Sequence, residues 1–217
     1  MRRRRFGASC APRTGMVRVG LAGLLLASAL LGCSIRPVPA TRFYRLVGAS
    51  PEPAPARKPR LQGILVVERF ATDDLIAERP IVYSDGTGTE LHQHRYHHWV
   101  EPPTDMLQQL LVSYLQATGA ASMVTTPEAR VRPDFVLRGR LSRFERIVGA
   151  DGGSGVRVCI ETRVSITRVA DRRLLWSDRY QVELPASDAA ISASVAAFDR
   201  GLDELLAHVA AGIPARW

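Results

Sequence analysis

The sequence contains neither a long apolar segment nor a recognisable catalytic signature. Its longest largely apolar run covers residues 19–31, which is 13 residues, whereas a membrane-spanning helix needs about 20. There is no Gly-x-Ser-x-Gly elbow, phosphate-binding loop or dinucleotide fingerprint. Asp73, Asp74 and Asp85 have no candidate nucleophile in a matching pattern. We therefore do not expect an enzyme.

The apolar run ends in the segment Leu30-Leu31-Gly32-Cys33. A basic start, a short apolar region and small residues before a cut are typical of a secretory signal peptide. Leu-x-Gly-Cys resembles the lipobox of bacterial lipoproteins, in which the cysteine is acylated and becomes the mature N-terminus. We predict a lipoprotein signal peptide over residues 1–32, with Met16 as the preferred start, and a covalent lipid on Cys33. The alternative is an uncleaved anchor with an incidental cysteine.

Few cysteines and little net charge would remain after this cleavage. The whole chain has three cysteines and a net charge of +8, but Cys10 and six arginines lie in the leader, which has no acidic residue and leaves +2 on the mature chain. This charge gives no reason to expect a nucleic acid partner. With Cys33 acylated, Cys159 has no cysteine to pair with, so a hydrophobic core must stabilise the protein.

Proline divides the mature chain into a tether and a folded part. Pro37 and Pro39 predict an extended tether, which a short strand follows at residues 43–46. Four prolines between residues 48 and 60 then predict a linker. We therefore assign residues 33–60 to a lipidated tether, short strand and Pro-rich linker, and residues 61–217 to a single folded domain.

The periodicity of the folded part predicts both strands and helices. Strands are predicted at residues 61–67, 79–83 and 89–96, and a helix at 104–118 that begins after two prolines and stops at Gly119. Alternating apolar residues between 135 and 182 predict a three-stranded antiparallel meander. A long helix to about Gly212 follows, with Ser187 or Asp188 as its cap.

These elements together indicate an α/β or α+β fold in a single domain. We expect a mixed β-sheet of about six strands packed by two main helices, in which the C-terminal meander is followed by the long helix. Cys159 falls on the polar face of the second meander strand, so it lies either beneath a covering element or at the surface.

Four of the five histidines lie between residues 92 and 98. His92 and His94 share one face of a strand, which is workable geometry for a zinc or copper ligand pair. Arg95 interrupts the cluster, however, and no distant ligand pair completes a coordination shell. We therefore favour a polar surface patch that meets a partner through His97 and His98, and keep metal binding as the less favoured alternative.

The segment from Trp99 to Pro103 joins a predicted strand to a predicted helix. A carboxylate at Glu101 suits the positive end of the helix, and Trp99 can clamp the helix start by packing. The alternative is that Trp99 and Glu101 contact a partner. Both interpretations stay open at this point.

Several segments, taken in order, resemble the ABC-type transport auxiliary lipoprotein family, which includes paraquat-inducible protein C. The resemblance covers nearly the whole mature chain, and Cys33 ends its lipobox. The matching segments are Phe43-Tyr44-Arg45-Leu46, Leu75 followed by Arg79-Pro80-Ile81-Val82, His98-Trp99-Val100-Glu101-Pro102, and Asp134-Phe135-Val136-Leu137 followed by Arg143-Phe144-Glu145. Ile81 departs from the glutamine common in the family, which leaves the subfamily open.

The resemblance implies a non-catalytic periplasmic lipoprotein that works beside an ABC transporter and an MCE-domain protein. Such systems move lipids or hydrophobic compounds across the cell envelope. Ser34 after the acylated cysteine is similar to lipoproteins sorted to the outer membrane, so we expect anchoring at the periplasmic face of that membrane. The number of copies, including a homo-oligomer, is left open. The alternatives are a chaperone or pilotin lipoprotein for an outer-membrane complex and, less favoured, a His-rich metal-handling lipoprotein.

Overall fold

Strand β7 (Phe135–Ile147) is the centre of the sheet in the computed structural model, which describes residues 38–49, 58–85, 89–149 and 155–214. On one side β7 pairs along its whole length with antiparallel β8 (Arg157–Arg168), which in turn pairs with β9 (Leu174–Pro185). The predicted meander is therefore confirmed.

Three shorter strands pair in parallel with the other side of β7. They are β2 (Leu61–Val67), β3 (Ala71–Thr72) and β4 (Pro80–Ser84). Because β7 has 13 residues, it is long enough to accept all three strands one after another along its edge.

The remaining strands extend the sheet at two edges. β5 (Leu91–Trp99) is antiparallel to β4, β1 (Arg42–Tyr44) lies parallel to β5, and β6 (Ala121–Thr125) lies parallel to β2. The described residues thus form a nine-stranded mixed sheet, which confirms the α/β class. The count exceeds the expected six in part because β1, which was predicted outside the folded domain, joins the sheet, and because the two-residue β3 is too short to show a period in the sequence.

Three α-helices accompany the sheet within the described part of the chain, together with a short 3-10 turn at Pro127–Ala129. α1 (Asp74–Ala77) is a single turn, whereas α2 (Pro103–Ala117) and α3 (Ile191–Gly212) are the two main helices expected. Gly119 follows α2 with a φ of +66°, the left-handed conformation that glycine adopts at a helix end. α3 begins three residues after Asp188, whose side chain accepts a hydrogen bond from the Ala190 N–H at 2.7 Å.

One hydrophobic core joins the helices to the sheet. α2 packs against β2 and β6, α3 packs against β8 and β9, and the two helices contact each other. Cys159 is fully buried, which settles the alternative left open by its sequence position. Burial raises the pKa of the Cys159 thiol to about 11, so the thiol stays protonated at neutral pH.

The compact unit that contains the sheet begins at Ala40, earlier than the predicted Leu61. β1 belongs to the sheet, and the segment after it is tied to α3, because the Asp199 carboxylate accepts hydrogen bonds from the N–H groups of Val47 (2.9 Å) and Gly48 (3.4 Å). Tertiary contacts of this kind leave no local pattern in the sequence. The prolines of the predicted linker at positions 51, 53 and 55 lie outside the described residues.

Several sequence predictions fall on parts of the chain that the structure does not describe. They concern the signal peptide, Cys33, most of the tether, the turn at residues 86–88 and most of the turn at residues 151–155. Among the described residues, no helix has both the length and the apolar character that a membrane crossing requires.

Candidate functional site

A row of contacting rings crosses strands β1, β5 and β4. The Tyr83 ring lies 5.1 Å from that of His92 and 4.5 Å from that of His94, measured between centroids. His97 follows, 5.6 Å from His94 and 5.8 Å from Tyr44. We call these five residues the ring ladder.

An irregularity in the pairing of β4 with β5 brings His97 into the ladder. Strict alternation would place His97 on the face opposite to His92 and His94. The register shifts between the pairs Pro80–His98 and Val82–Gln93, and such a shift lets residues of different parity share a face. The sequence predicts that His92 and His94 share a face. It does not predict that His97 joins them, because the register shift depends on the pairing of β5 with β4.

Two imidazoles of the ladder, those of His94 and His97, are held in their neutral form. Burial, followed by the charge of Arg146 and of His97, lowers the pKa of His94 to about 4. Burial and the charges of Arg42 and Arg146 also lower the pKa of His97, and its Nδ1 is hydrogen bonded to the Tyr44 hydroxyl at 2.9 Å. The ladder is therefore an aromatic and polar surface in which His94 and His97 carry no charge at neutral pH.

Arg146 lies beneath this surface and connects β7 to the start of α3. Its guanidinium donates hydrogen bonds to the Ser194 hydroxyl at 3.0 Å and to the carbonyl of Ala189 at 2.6 Å. The residue is buried, and burial lowers its pKa. The sequence analysis did not single out Arg146, although an arginine two residues after Phe144, on the apolar face of the strand, is a signal that could have found it.

His98 points away from the ladder and contacts β1 on the other side of the sheet edge. Its ring lies 5.9 Å from that of Phe43, and its Nε2 is hydrogen bonded to the Arg95 carbonyl at 3.0 Å. The Arg79 guanidinium lies 5.2 Å from the centroid of the Phe43 ring, within the range of a cation–π contact. Phe43 is nevertheless 55% exposed, so this edge presents an aromatic ring to its surroundings.

A groove of about 640 Å³ lies between β1 and the start of α3. Its lining includes Arg42, Phe43, Tyr44 and His97 from the strands and Ser192 from the helix. The predicted contact residue His97 therefore lines an open groove, whereas His98 is not in its lining and contacts the Phe43 ring instead. We call Phe43, Tyr44, His97 and His98 together the β1–β5 edge surface.

Trp99 is not part of this surface. It is 1% exposed, and its ring contacts Phe144 at 5.7 Å and Phe198 of α3 at 5.5 Å. The hypothesis of a partner contact at Trp99 is therefore wrong for the folded domain, because the core of the domain already surrounds the side chain. The packing interpretation is the one that the geometry supports, although the clamped helix is α3 rather than α2.

Glu101 is exposed and accepts a hydrogen bond from the Gln109 side chain at 3.1 Å. It lines a second groove, of about 330 Å³, together with Arg45, Leu46 and residues of α2. Its place two residues before Pro103 puts the carboxylate at the positive end of that helix. The lining of this groove includes none of the histidines of the β1–β5 edge surface.

His92 and His94, the weak metal candidates, flank the Tyr83 ring rather than converging on one point. His92 Nε2 lies 3.4 Å from the Glu90 carboxylate. His94 Nε2 is buried without a hydrogen-bond partner among the described residues. The same residues contain no group of three or more histidine, cysteine, aspartate or glutamate side chains arranged to hold a metal ion.

The chain is similar to solved structures whose fold it shares. A protein from Xanthomonas campestris is 24% identical, with a TM-score of 0.67 over 78% of this chain and 92% of that one. A second structure, titled an uncharacterized protein, is 18% identical, with a TM-score of 0.61 over 80% and 98%. No curated protein matches the chain.

A protein-family model matches residues 44–210, from β1 almost to the end of α3. Its description is "ABC-type transport auxiliary lipoprotein component". The match covers the whole sheet except the first two residues of β1, and includes the β5 segment that carries the histidines. The chain therefore belongs to the ABC-type transport auxiliary lipoprotein family of the cell envelope.

Proposed function

We propose that the protein is a non-catalytic, lipid-anchored accessory component of an ABC/MCE-type transport system that moves lipids or hydrophobic compounds across the cell envelope. It would dock the MCE-domain protein of that system to the outer membrane. The family match over residues 44–210 is the observation that carries this proposal. The aromatic character of the β1–β5 edge surface supplies a candidate contact for the partner.

The proposed anchor is the acylated Cys33. Each buried methylene contributes about 0.8 kcal/mol, and one acyl chain binds only marginally, so several chains are needed for stable attachment. Nine residues, 34–42, lie between Cys33 and Phe43, the second residue of β1. Because an extended chain spans about 3.3 Å per residue, they reach about 30 Å at most. The tether would therefore keep the β1–β5 edge surface near the membrane.

The physical character of this surface defines the contact that we expect. Phe43 is largely exposed, and the pKa of His97 is lowered, so the surface offers aromatic area beside the imidazole of His97, which is uncharged at neutral pH. Exposed aromatic residues are enriched in the energetically important centres of protein interfaces. We therefore expect a partner contact in which Phe43 enters an apolar recess of the MCE-domain protein.

Co-purification of the MCE-domain protein with tagged lipoprotein tests the contact. Phe43→Ser should lower the recovery of the partner about tenfold or more, the effect of about 1.4 kcal/mol at the interface. Leu174→Ser is the matched control, since Leu174 is 59% exposed but lies on β9. The control should leave recovery within about twofold of wild type.

Three outcomes of this experiment would count against the proposal. Equal recovery with both variants would remove the β1–β5 edge surface from the contact. Absence of any MCE-domain protein from the wild-type preparation would contradict the transport partner itself. Recovery of a secretin or β-barrel in its place would favour the chaperone or pilotin alternative.

A further inference from the structure

The meander strands β7, β8 and β9 have one face that α3 does not cover. On the covered face, Phe144 stacks on Phe198 of α3 at 4.3 Å, and Ile160 approaches the same helix at Gly201. On the opposite face, which we call the outer face, polar and charged side chains predominate. Its arginines are Arg138, Arg140, Arg143, Arg157, Arg163 and Arg179.

Three of these arginines stand directly opposite one another. Arg140 of β7 is paired with Arg163 of β8, which is paired with Arg179 of β9. We call these residues the arginine row. Adjacent strands lie about 4.8 Å apart, and like charges directly opposite each other destabilise a sheet. The row therefore lowers the stability of the fold, so the presence of three facing arginines is not explained by folding.

Neighbouring carboxylates neutralise only the two ends of the row. The Arg140 guanidinium lies 2.5 Å from the Asp73 carboxylate, and that of Arg179 lies 2.8 Å from the Glu161 carboxylate. Arg163, in the centre, has no ion pair or side-chain hydrogen bond with any of the described residues. Positive charge is thus left uncompensated at the middle of the row.

The row lines a groove of about 290 Å³ on the outer face. Ser142, Glu161 and Thr162 complete the lining. The Thr162 hydroxyl already donates to the Arg140 carbonyl at 2.8 Å, whereas the hydroxyl of Ser142 offers a further donor. Glu161 is the one carboxylate in the lining, and its bond to Arg179 holds its charge at one end of the groove.

We propose that the arginine row binds a phosphate group, either as free phosphate or as the headgroup phosphate of an anionic phospholipid. The planar guanidinium matches two phosphate oxygens with two parallel N–H groups, which makes arginine the preferred residue for this anion. Bound phosphate would supply the negative charge that Arg163 lacks. The proposal does not depend on the transport partner proposed above.

Thermal unfolding of the full mature lipoprotein in neutral detergent tests the proposal. Sodium phosphate should raise the Tm more than sodium chloride of equal ionic strength does, because binding to the folded state alone stabilises it. Arg163→Gln should lower the phosphate affinity about tenfold or more. The control is Arg157→Gln, on the same strand and face but outside the groove, which should keep the affinity within about twofold of wild type.

The two phosphate sources are separated by a second ligand. Dihexanoyl phosphatidylglycerol, used below its micellar concentration, should bind through the same row, and Arg163→Gln should weaken its binding as well. Tighter binding of the lipid than of inorganic phosphate assigns the site to a headgroup, and the reverse order assigns it to the free anion. Both results support a phosphate site, whereas binding of neither ligand overturns it.

The stability of the variant without ligand gives an independent readout. Since Arg163 faces two like charges, Arg163→Gln should raise the Tm in the absence of phosphate, particularly at low salt. A lower Tm would show that Arg163 stabilises the sheet and would overturn the proposal. Equal loss of phosphate affinity in Arg157→Gln would do the same, because it would reduce the effect to general surface charge.

Discussion

Replacing Trp99 by leucine tests whether this side chain stabilises the core or contacts a partner. Trp99 is 1% exposed, and its ring contacts the rings of Phe144 and Phe198. Truncation of a buried tryptophan to alanine costs about 3–5 kcal/mol, and leucine keeps part of the volume. Each lost ring pair adds about 0.5–1.5 kcal/mol. We expect Trp99→Leu to lower the free energy of unfolding by about 2–4 kcal/mol.

Urea unfolding followed by far-UV circular dichroism measures this loss. With a slope of about 2 kcal/mol per molar urea, the midpoint should fall by about 1–2 M. The control is Phe43→Leu, because Phe43 is 55% exposed, and this variant should stay within about 0.5 kcal/mol of wild type. If Trp99→Leu kept the wild-type midpoint but lost the transport partner, Trp99 would be a contact residue and our assignment would be refuted.

Two further substitutions test the packing of the sheet and the state of the ring ladder. A Cβ on Gly139 would lie 2.1 Å from a ring carbon of the buried Phe70, so Gly139→Ala should cost about 1–3 kcal/mol in urea unfolding, and adding Phe70→Leu should recover part of that loss. The folded-state pKa of His94 is lowered to about 4 from 6.5, so the unfolded chain takes up a proton that the folded chain does not as the pH falls from 6.5 to 4. The free energy of unfolding should therefore decrease as the pH falls from 6.5 to 4, and it should keep its full value above this range. His94→Gln should flatten this decrease, and an unchanged pH profile would show that the imidazole does not titrate as we infer.

Elements with a strong local pattern could be predicted from the sequence. Pro103 and Gly119 mark the two ends of α2 within a residue or two, and the alternation of apolar residues marks β7, β8 and β9. The pairing between distant elements could not be predicted. The sequence around Gly139 does not indicate that the Phe70 ring packs against this glycine. The sequence of β1 does not indicate that this strand pairs with β5.

The candidate site was predicted in part, for the same physical reason. His97 does line a groove, and the histidine cluster does lie on one strand. A partner contact at Trp99 remained one of two alternatives, because its packing partners Phe144 and Phe198 lie far away in the chain. The arginine row depends on the register of three strands, which a bulge between Leu141 and Arg143 adjusts.

Membrane fractionation of cells that express Cys33→Ala tests the central claim, attachment of the domain through a lipid on that cysteine, most directly. We predict that the wild-type protein sediments with the outer membrane and brings the MCE-domain protein into that fraction. The variant should be lost from the outer-membrane fraction, and the MCE-domain protein should be lost from that fraction with it. Unchanged sedimentation of the variant with the outer membrane would contradict the lipid anchor and, with it, the proposed docking function.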